Sequence, residues 1–355
     1  MDLDSGLTTQ TVAPGIDSAP QKRRFRPAFP LVVMGGIILL IALSIGSVFV
    51  GTASLSWNEV MGAFGFAGYD TPSLLRQSIL FELRIPRILM GIVVGAGLAV
   101  AGACLQTVTH NPLAEPYLLG ISGGASVGAV VVLVIGTQGV LGLTAGAALG
   151  GLGSFVVLLM LLRGSGFQSQ QVVLAGVLVG QFAQAVTFLI MMGKGDADSI
   201  QAVMAWLMGA LGASRQDGLL VTAIVCMTAV AALWALSRHL DTLRLGDATA
   251  HTMGVPVVLT RGAVLVIVAL MTSATVASVG AIGFVGLIVP HAVRLVVGSA
   301  HVRVIPISAL VGAILLVVAD AIARSLFKGQ ELPVGIITAL IGVPIFFLLW
   351  KKGKK

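Results

Sequence analysis

The sequence predicts an all-α polytopic membrane protein with about ten transmembrane helices. Composition is the first reason: 57% of the 355 residues are hydrophobic and 10% charged, against about 25% charged in a typical soluble domain. Mean hydropathy is +1.04, more apolar surface than a soluble core can bury. The second reason is repetition, because apolar runs of about 17–25 residues recur along the chain, each long enough to cross the hydrocarbon layer. The third is 45 glycines, which suit helices that meet closely in lipid.

The spans fall near 31–50, 88–107, 118–135, 140–162, 171–192, 219–237, 262–280, 281–297, 304–326 and 333–350. The seventh and eighth form one run, divided at Gly280, Gly283 and Gly286, since glycine tolerates backbone that breaks a helix. Residues 1–27 are polar and read as a disordered cytoplasmic tail, leaving 28–355 as the transmembrane domain. The tail ends in Lys22, Arg23, Arg24 and Arg26, directly before a stretch too long for a signal-peptide core. That pattern reads as a retained signal-anchor.

With the N-terminus in the cytoplasm, 14 of the 21 Lys and Arg fall on the inner side and seven on the outer. This bias obeys the positive-inside rule and places the C-terminus inside as well. It also explains the net charge of +7 without nucleic acid, because the basic residues flank apolar runs rather than form a patch with interleaved aromatics. Cys104 and Cys226 lie inside apolar runs and read as unpaired packing residues, with no metal-ligand spacing.

Several constellations stand out against this apolar background. Arg84-Ile85-Pro86-Arg87 precedes the second span, with proline suited to the first helical turn, and Arg324 follows Asp320 by one turn in the ninth. On the residues alone, Asp320 and Arg324 neutralise one another while Arg84 and Arg87 reach toward lipid headgroups. Between the sixth and seventh spans, a short amphipathic helix starts at Gly246-Asp247 and stops at Gly254 before Pro256. It fits an interfacial helix and a partner site equally well. Pro112 and Pro116 bound a polar turn after the second span. Pro290 in mid-span frees carbonyls that only protein or a wet cavity could satisfy. His291 beside it reads as a hydrogen-bonded histidine near the inner face rather than a haem ligand or proton carrier. His110, His251 and His301 map to the same face and suggest no haem cage.

Two enzyme readings fail. Gly120-Ile121-Ser122-Gly123 matches an intramembrane serine protease pattern, but Ser122 opens a span and no facing histidine is evident. No phosphate-cradling loop occurs either: Met192-Gly193-Lys194-Gly195 lacks the upstream glycine and the hydroxyl. Any ATP used in transport must be hydrolysed on another chain.

Taken in order, these segments resemble the FecCD family, the permease subunits of ATP-driven importers for iron-siderophores, haem and vitamin B12. The resemblance covers about residues 31–350 and rests on Arg84–Arg87, on Asn111–Gly124 and on Leu243–Pro256. It rests also on Gly280–Arg294 and on Ala319-Asp320-Ala321-Ile322-Ala323-Arg324. It implies an inverted-repeat type II importer permease fold in the cytoplasmic (inner) membrane of a bacterium. It implies a homodimer working with two ATP-binding-cassette subunits and a periplasmic or lipid-anchored substrate-binding protein, the cargo being an iron-siderophore, haem or cobalamin. Arg84, Arg87 and Arg324 then receive carboxylates of the binding protein. The segment at about 240–258, with Leu245, Gly246, Asp247, Ala250, Met253 and Gly254, enters a cleft of the ATPase. Asp247 replaces the family's Glu there and Met253 its Leu. Gln168, Ser169 and Gln170 border a cytoplasmic gate. No catalytic, metal or cofactor residue is implied on this chain, and ATP belongs to the partner subunit. The competing class is a secondary transporter, which needs an ion-coupling carboxylate near the midplane; Asp320 is the sole candidate. An iron chelate is the preferred cargo.

Overall fold

A computed structural model describes residues 29–135, 140–194, 197–213, 216–327 and 330–353. The tail expected over 1–27 lies outside the described residues. Helices α1 (Phe29–Phe49), α4 (Ile85–Val108), α5 (Ile121–Ile135), α6 (Val140–Leu161) and α7 (Ser169–Lys194) are the first five apolar elements. The second five are α9 (Gln216–Ala235), α12 (Val257–Val279), α13 (Val285–Val297), α14 (His301–Ser325) and α15 (Val334–Gly353). Seven of these are long and apolar enough to cross a membrane and three are shorter, giving the ten that hydropathy predicts.

Five smaller helices escaped the hydropathy pattern: α2 (Trp57–Ala63), α3 (Leu74–Ser78), α8 (Ala197–Leu207), α10 (Ser237–Leu243) and α11 (Asp247–Thr252). Only α11 was foreseen, from its glycine and proline boundaries. A start signal for α2 was present. Ser56 accepts from the Glu59 backbone while Glu59 accepts from the Ser56 N–H, a reciprocal cap readable as Ser-x-x-Glu. A π-helical turn, Ile79–Arg84, joins α3 to α4.

Helix α4 is the hub. It packs on α9, α12, α13 and α14, and 78% of its most apolar stretch is buried, against 6% for α1 on the periphery. Lipid supplies no hydrophobic force between helices, so close approach through small residues must hold them. A Cβ on Gly128 of α5 would overlap the carbonyl oxygen of Gly146 in α6, and one on Gly102 of α4 would overlap that of Gly286 in α13.

Helices α4–α7 and α12–α15 repeat one pattern: a long helix, a break, a short helix, then two longer ones. The short ones, α5 and α13, have 15 and 13 residues, so at about 1.5 Å per residue neither crosses about 30 Å of hydrocarbon. Each follows a break in α-helix, 109–120 before α5, which holds a short 3-10 turn at Pro116–Leu119, and 280–284 before α13, and the two segments meet. Tyr117 OH donates to Ile282 O (2.8 Å) and accepts from Ile282 N (2.6 Å). Phe284 N donates to Glu115 Oε1 (2.5 Å). Side chains from the first break thus satisfy backbone polar groups of the second that lipid could not. The turn expected at Gly280, Gly283 and Gly286 is confined to 280–284; Gly286 belongs to α13, where Gly102 and Pro116 crowd it.

Candidate functional site

Polar side chains gather at the two ends of the bundle. At one end, Asp320 of α14 is held by two guanidinium groups, Arg324 Nε and Arg87 Nε, each at 2.9 Å. Arg87 Nη1 also reaches Glu331 Oε2 at 2.5 Å. The pairing expected between Asp320 and Arg324 is present, and Arg87 shares it across 233 residues of sequence. Arg84, Arg87 and Arg324 are all buried; they do not reach outward as anchors in lipid headgroups. Two of them cap α1. Arg324 donates to Val50 O (2.6 Å), Ser47 O (3.2 Å) and Ser47 Oγ (2.5 Å), and Arg84 donates to Val48 O and Ala53 O. Carbonyls at a helix C-terminus carry partial negative charge and lack internal donors, so cations suit them. Arg84 forms no ion pair among the described residues.

At the other end stands α11. Leu245, Asp247, Met253 and Gly254 are exposed, whereas Ala250 is fully buried. The predicted coupling residues therefore divide: Ala250 packs in the core while Leu245 and Met253 offer an apolar surface. The gate residues sit nearby at the start of α7, with Gln168 and Gln170 exposed and Ser169 Oγ donating to Val108 O (3.2 Å). Arg261 of α12 donates to Asp247 Oδ1 at 2.7 Å and to Phe167 O at 3.1 Å. His110 lies between Leu243 O (2.9 Å from Nε2) and Ser169 Oγ (3.4 Å from Nδ1).

Asp241 of α10 accepts from His301 twice, from the backbone N (2.9 Å) and from ring Nδ1 (2.6 Å), and His301 Nε2 meets Thr107 Oγ1 at 2.8 Å. Burial works against ionising Asp241, but the hydrogen bonds and charge of His301 outweigh it and hold the carboxyl below its ordinary range.

The prolines behave in two ways. Pro112 and Pro116 shape the segment between α4 and α5, where Asn111 Oδ1 accepts from Leu113 N (2.9 Å). Pro290 lies inside α13 and cannot donate to Gly286 O; Gln106 Nε2 donates there instead, at 3.1 Å, and to Leu287 O at 3.2 Å. Arg294 orients that amide by donating to Gln106 Oε1 (2.6 Å). Pro306 in α14 leaves Val302 O short in the same way, and Trp234 Nε1 donates to it (3.2 Å). His291 lies edge-on to Phe346, and its Nε2 has no partner among the described residues. No group of three metal-capable side chains occurs among them.

A profile of the FecCD transport family matches residues 38–352. The chain belongs to the FecCD transport family. It is 42% identical to the cobalamin import system permease protein BtuC of Halobacterium salinarum, covering 77% of this chain and 73% of that one. It is 35% identical to the hemin transport system permease protein HmuU of Yersinia pestis, over 90% and 95% of the two chains. Its fold superposes on an inward-facing metal-chelate type ABC transporter with a TM-score of 0.80 and 30% identity, covering 92% of this chain and all of that one. As a FecCD permease the protein is a multi-pass membrane subunit of an ATP-binding-cassette importer. It is a transporter component rather than an enzyme, with ATP hydrolysis on a separate chain.

Sequence reasoning counted Arg261 only among inner-side charges and did not single out Glu115, Tyr117, Asp241 or Glu331. Their partners lie 14 to 244 residues away, so no local spacing announces them.

Proposed function

We propose that this FecCD permease works as one of two identical subunits, with two ATPase subunits and a periplasmic or lipid-anchored substrate-binding protein. In this arrangement it passes an iron chelate, a siderophore complex or haem, into the cytoplasm. Both termini are cytoplasmic, and the twofold excess of Lys and Arg on that side supports the orientation. ATP is held by the partner ATPase, and this chain holds no cofactor.

The exposed helix α11 carries the proposal. Leu245 and Met253 are 58% and 61% exposed beside it, and a membrane-surface helix with apolar side chains turned to solvent suits a partner cleft. At the opposite end, Arg84, Arg87 and Arg324 face only Asp320 and Glu331 as carboxylates among the described residues. This local excess of positive charge suits acidic groups on a binding protein. Gln168, Ser169 and Gln170 border the cytoplasmic gate, being polar and without net charge. The 42% identity to a cobalamin permease favours a second reading, cobalamin as cargo.

The test is uptake into proteoliposomes holding this chain, its ATPase and its binding protein. Labelled ferric siderophore, haem and cobalamin are offered in turn. Uptake of an iron chelate that excess cobalamin does not suppress supports the first reading; uptake of cobalamin alone supports the second.

A further inference from the structure

We infer that Arg261 and His110 are positioning residues that tie the coupling segment to the gate loop, Arg261 from α11 and His110 from the end of α10, so that a displacement of that segment carries the start of α7 with it. The inference rests on the proposal that the segment at about 240–258 receives the ATPase, and it names the side chains that pass the movement on.

Arg261 has only 2% of its surface exposed, yet it touches both functional segments. One arm of its guanidinium meets the carboxylate of Asp247, the first residue of α11, and the other meets the carbonyl of Phe167, which directly precedes Gln168. Its Nε has no partner among the described residues. A buried donor left unpaired works against stability, which fits a guanidinium placed to bridge two segments. The far end of the link is stiff. The Phe167 ring lies against Gly262, where a Cβ would sit 3.4 Å from Cε2, and Phe167 has a φ of 56°.

His110 makes a second, separate bridge. Nε2 lies 2.9 Å from Leu243 O at the end of α10, and Nδ1 lies 3.4 Å from Ser169 Oγ at the start of α7. The φ of His110 is 47°. Only three non-glycine residues have positive φ among the described residues: His110, Phe167 and Phe284. Two of the three thus stand in these two bridges. Left-handed backbone at a residue with a Cβ is unfavourable and persists where surrounding contacts impose it, commonly at switch segments. A stiff, charge-assisted bond on each side of one buried guanidinium transmits displacement; a solvated surface pair would yield instead.

The experiment reads cargo taken up per ATP hydrolysed in proteoliposomes of the full complex. Asp247→Ala and Arg261→Lys should each lower that ratio about tenfold, and the double variant no further, because both remove one link. Asp247→Glu, which keeps the carboxylate, should restore most of it. His110→Ala should lower the ratio on its own and multiply with Asp247→Ala. Asp247 is half-exposed and its replacement leaves the core intact, so the test stands even if Arg261→Lys does not fold. The parent reading is checked separately by Leu245→Glu with Met253→Glu, which should release the ATPase chain during purification. If that pair still assembles and transports normally, the coupling segment is misplaced. If it loses the ATPase while Asp247→Ala and His110→Ala keep the native ratio, the coupling segment stands and the clasp is overturned.

Discussion

Gln106 donates to the carbonyl of Gly286, the acceptor that Pro290 leaves without its helical partner. This bond joins the central helix α4 to the short helix α13 in the region where α13 could not otherwise satisfy its own backbone. Gln106→Ala should therefore destabilise the detergent-solubilised protein by about 1–3 kcal/mol, the cost of an unpaired buried acceptor. Gln106→Glu should also destabilise it, because the donor is lost although the contact with Arg294 remains. Thermal unfolding reads both; a Glu variant as stable as the native chain would show that Arg294, not the Gly286 carbonyl, is what Gln106 serves.

Asp320 should matter more to the fold than Glu331. Asp320 is buried between two guanidinium groups, and removing one side of such a group costs about 3–5 kcal/mol because a buried charge is left uncompensated. Glu331, with 41% of its side chain exposed, should cost no more than about 1 kcal/mol as Glu331→Gln. Chemical denaturation of Asp320→Asn and Glu331→Gln compares them directly, and equal losses would count against this ordering.

Acid should loosen the end of the bundle that carries α10. Burial opposes ionisation of the Asp241 carboxyl, but its hydrogen bonds to His301 hold it low, with a smaller contribution from the charge of Arg244. A depressed folded pKa means the stabilisation is complete at neutral pH and is lost as pH falls through the acid range, below about pH 4. Asp241→Asn should lower the melting temperature at pH 7 and flatten its dependence between pH 3 and 6. Parallel curves for the two proteins would exclude this carboxylate as the source.

Docking at the other end is best probed through Arg84, which has no carboxylate among the described residues. Arg84→Glu should slow association of the binding protein and reduce its salt dependence, whereas Arg84→Lys should keep both. Surface plasmon resonance across a salt series measures this. Unchanged kinetics in Arg84→Glu would leave Arg84 with only its role in capping α1.

Much of the architecture was legible because lipid imposes a length. Ten apolar runs correspond to ten helices, with ends displaced by at most a few residues. The five small helices were harder to see, since none reaches the length of a membrane span and α3 merges with a longer run through a π turn. At the sites, chain-local features such as Asp320 with Arg324 and the boundaries of α11 were readable. The sharing of Asp320 by Arg87, the meeting of Glu115 with Phe284 and the bridging by Arg261 depend on how distant helices cross. Nor does the motif itself announce that Ala250 faces the core while its neighbours in the segment are exposed.

The central claim is that this chain imports by ATP hydrolysis on a partner rather than by an ion gradient. A gradient-driven carrier needs a site that can exploit about 2.3 kcal/mol per charge per 100 mV, and Asp320 is already bound by two arginines. The most direct measurement is cargo uptake into proteoliposomes with and without the ATPase, the binding protein, ATP and an uncoupler. Uptake should require ATP on the cytoplasmic side and survive the uncoupler. Uptake by this chain alone, driven by a proton or sodium gradient and abolished by Asp320→Asn, would contradict it.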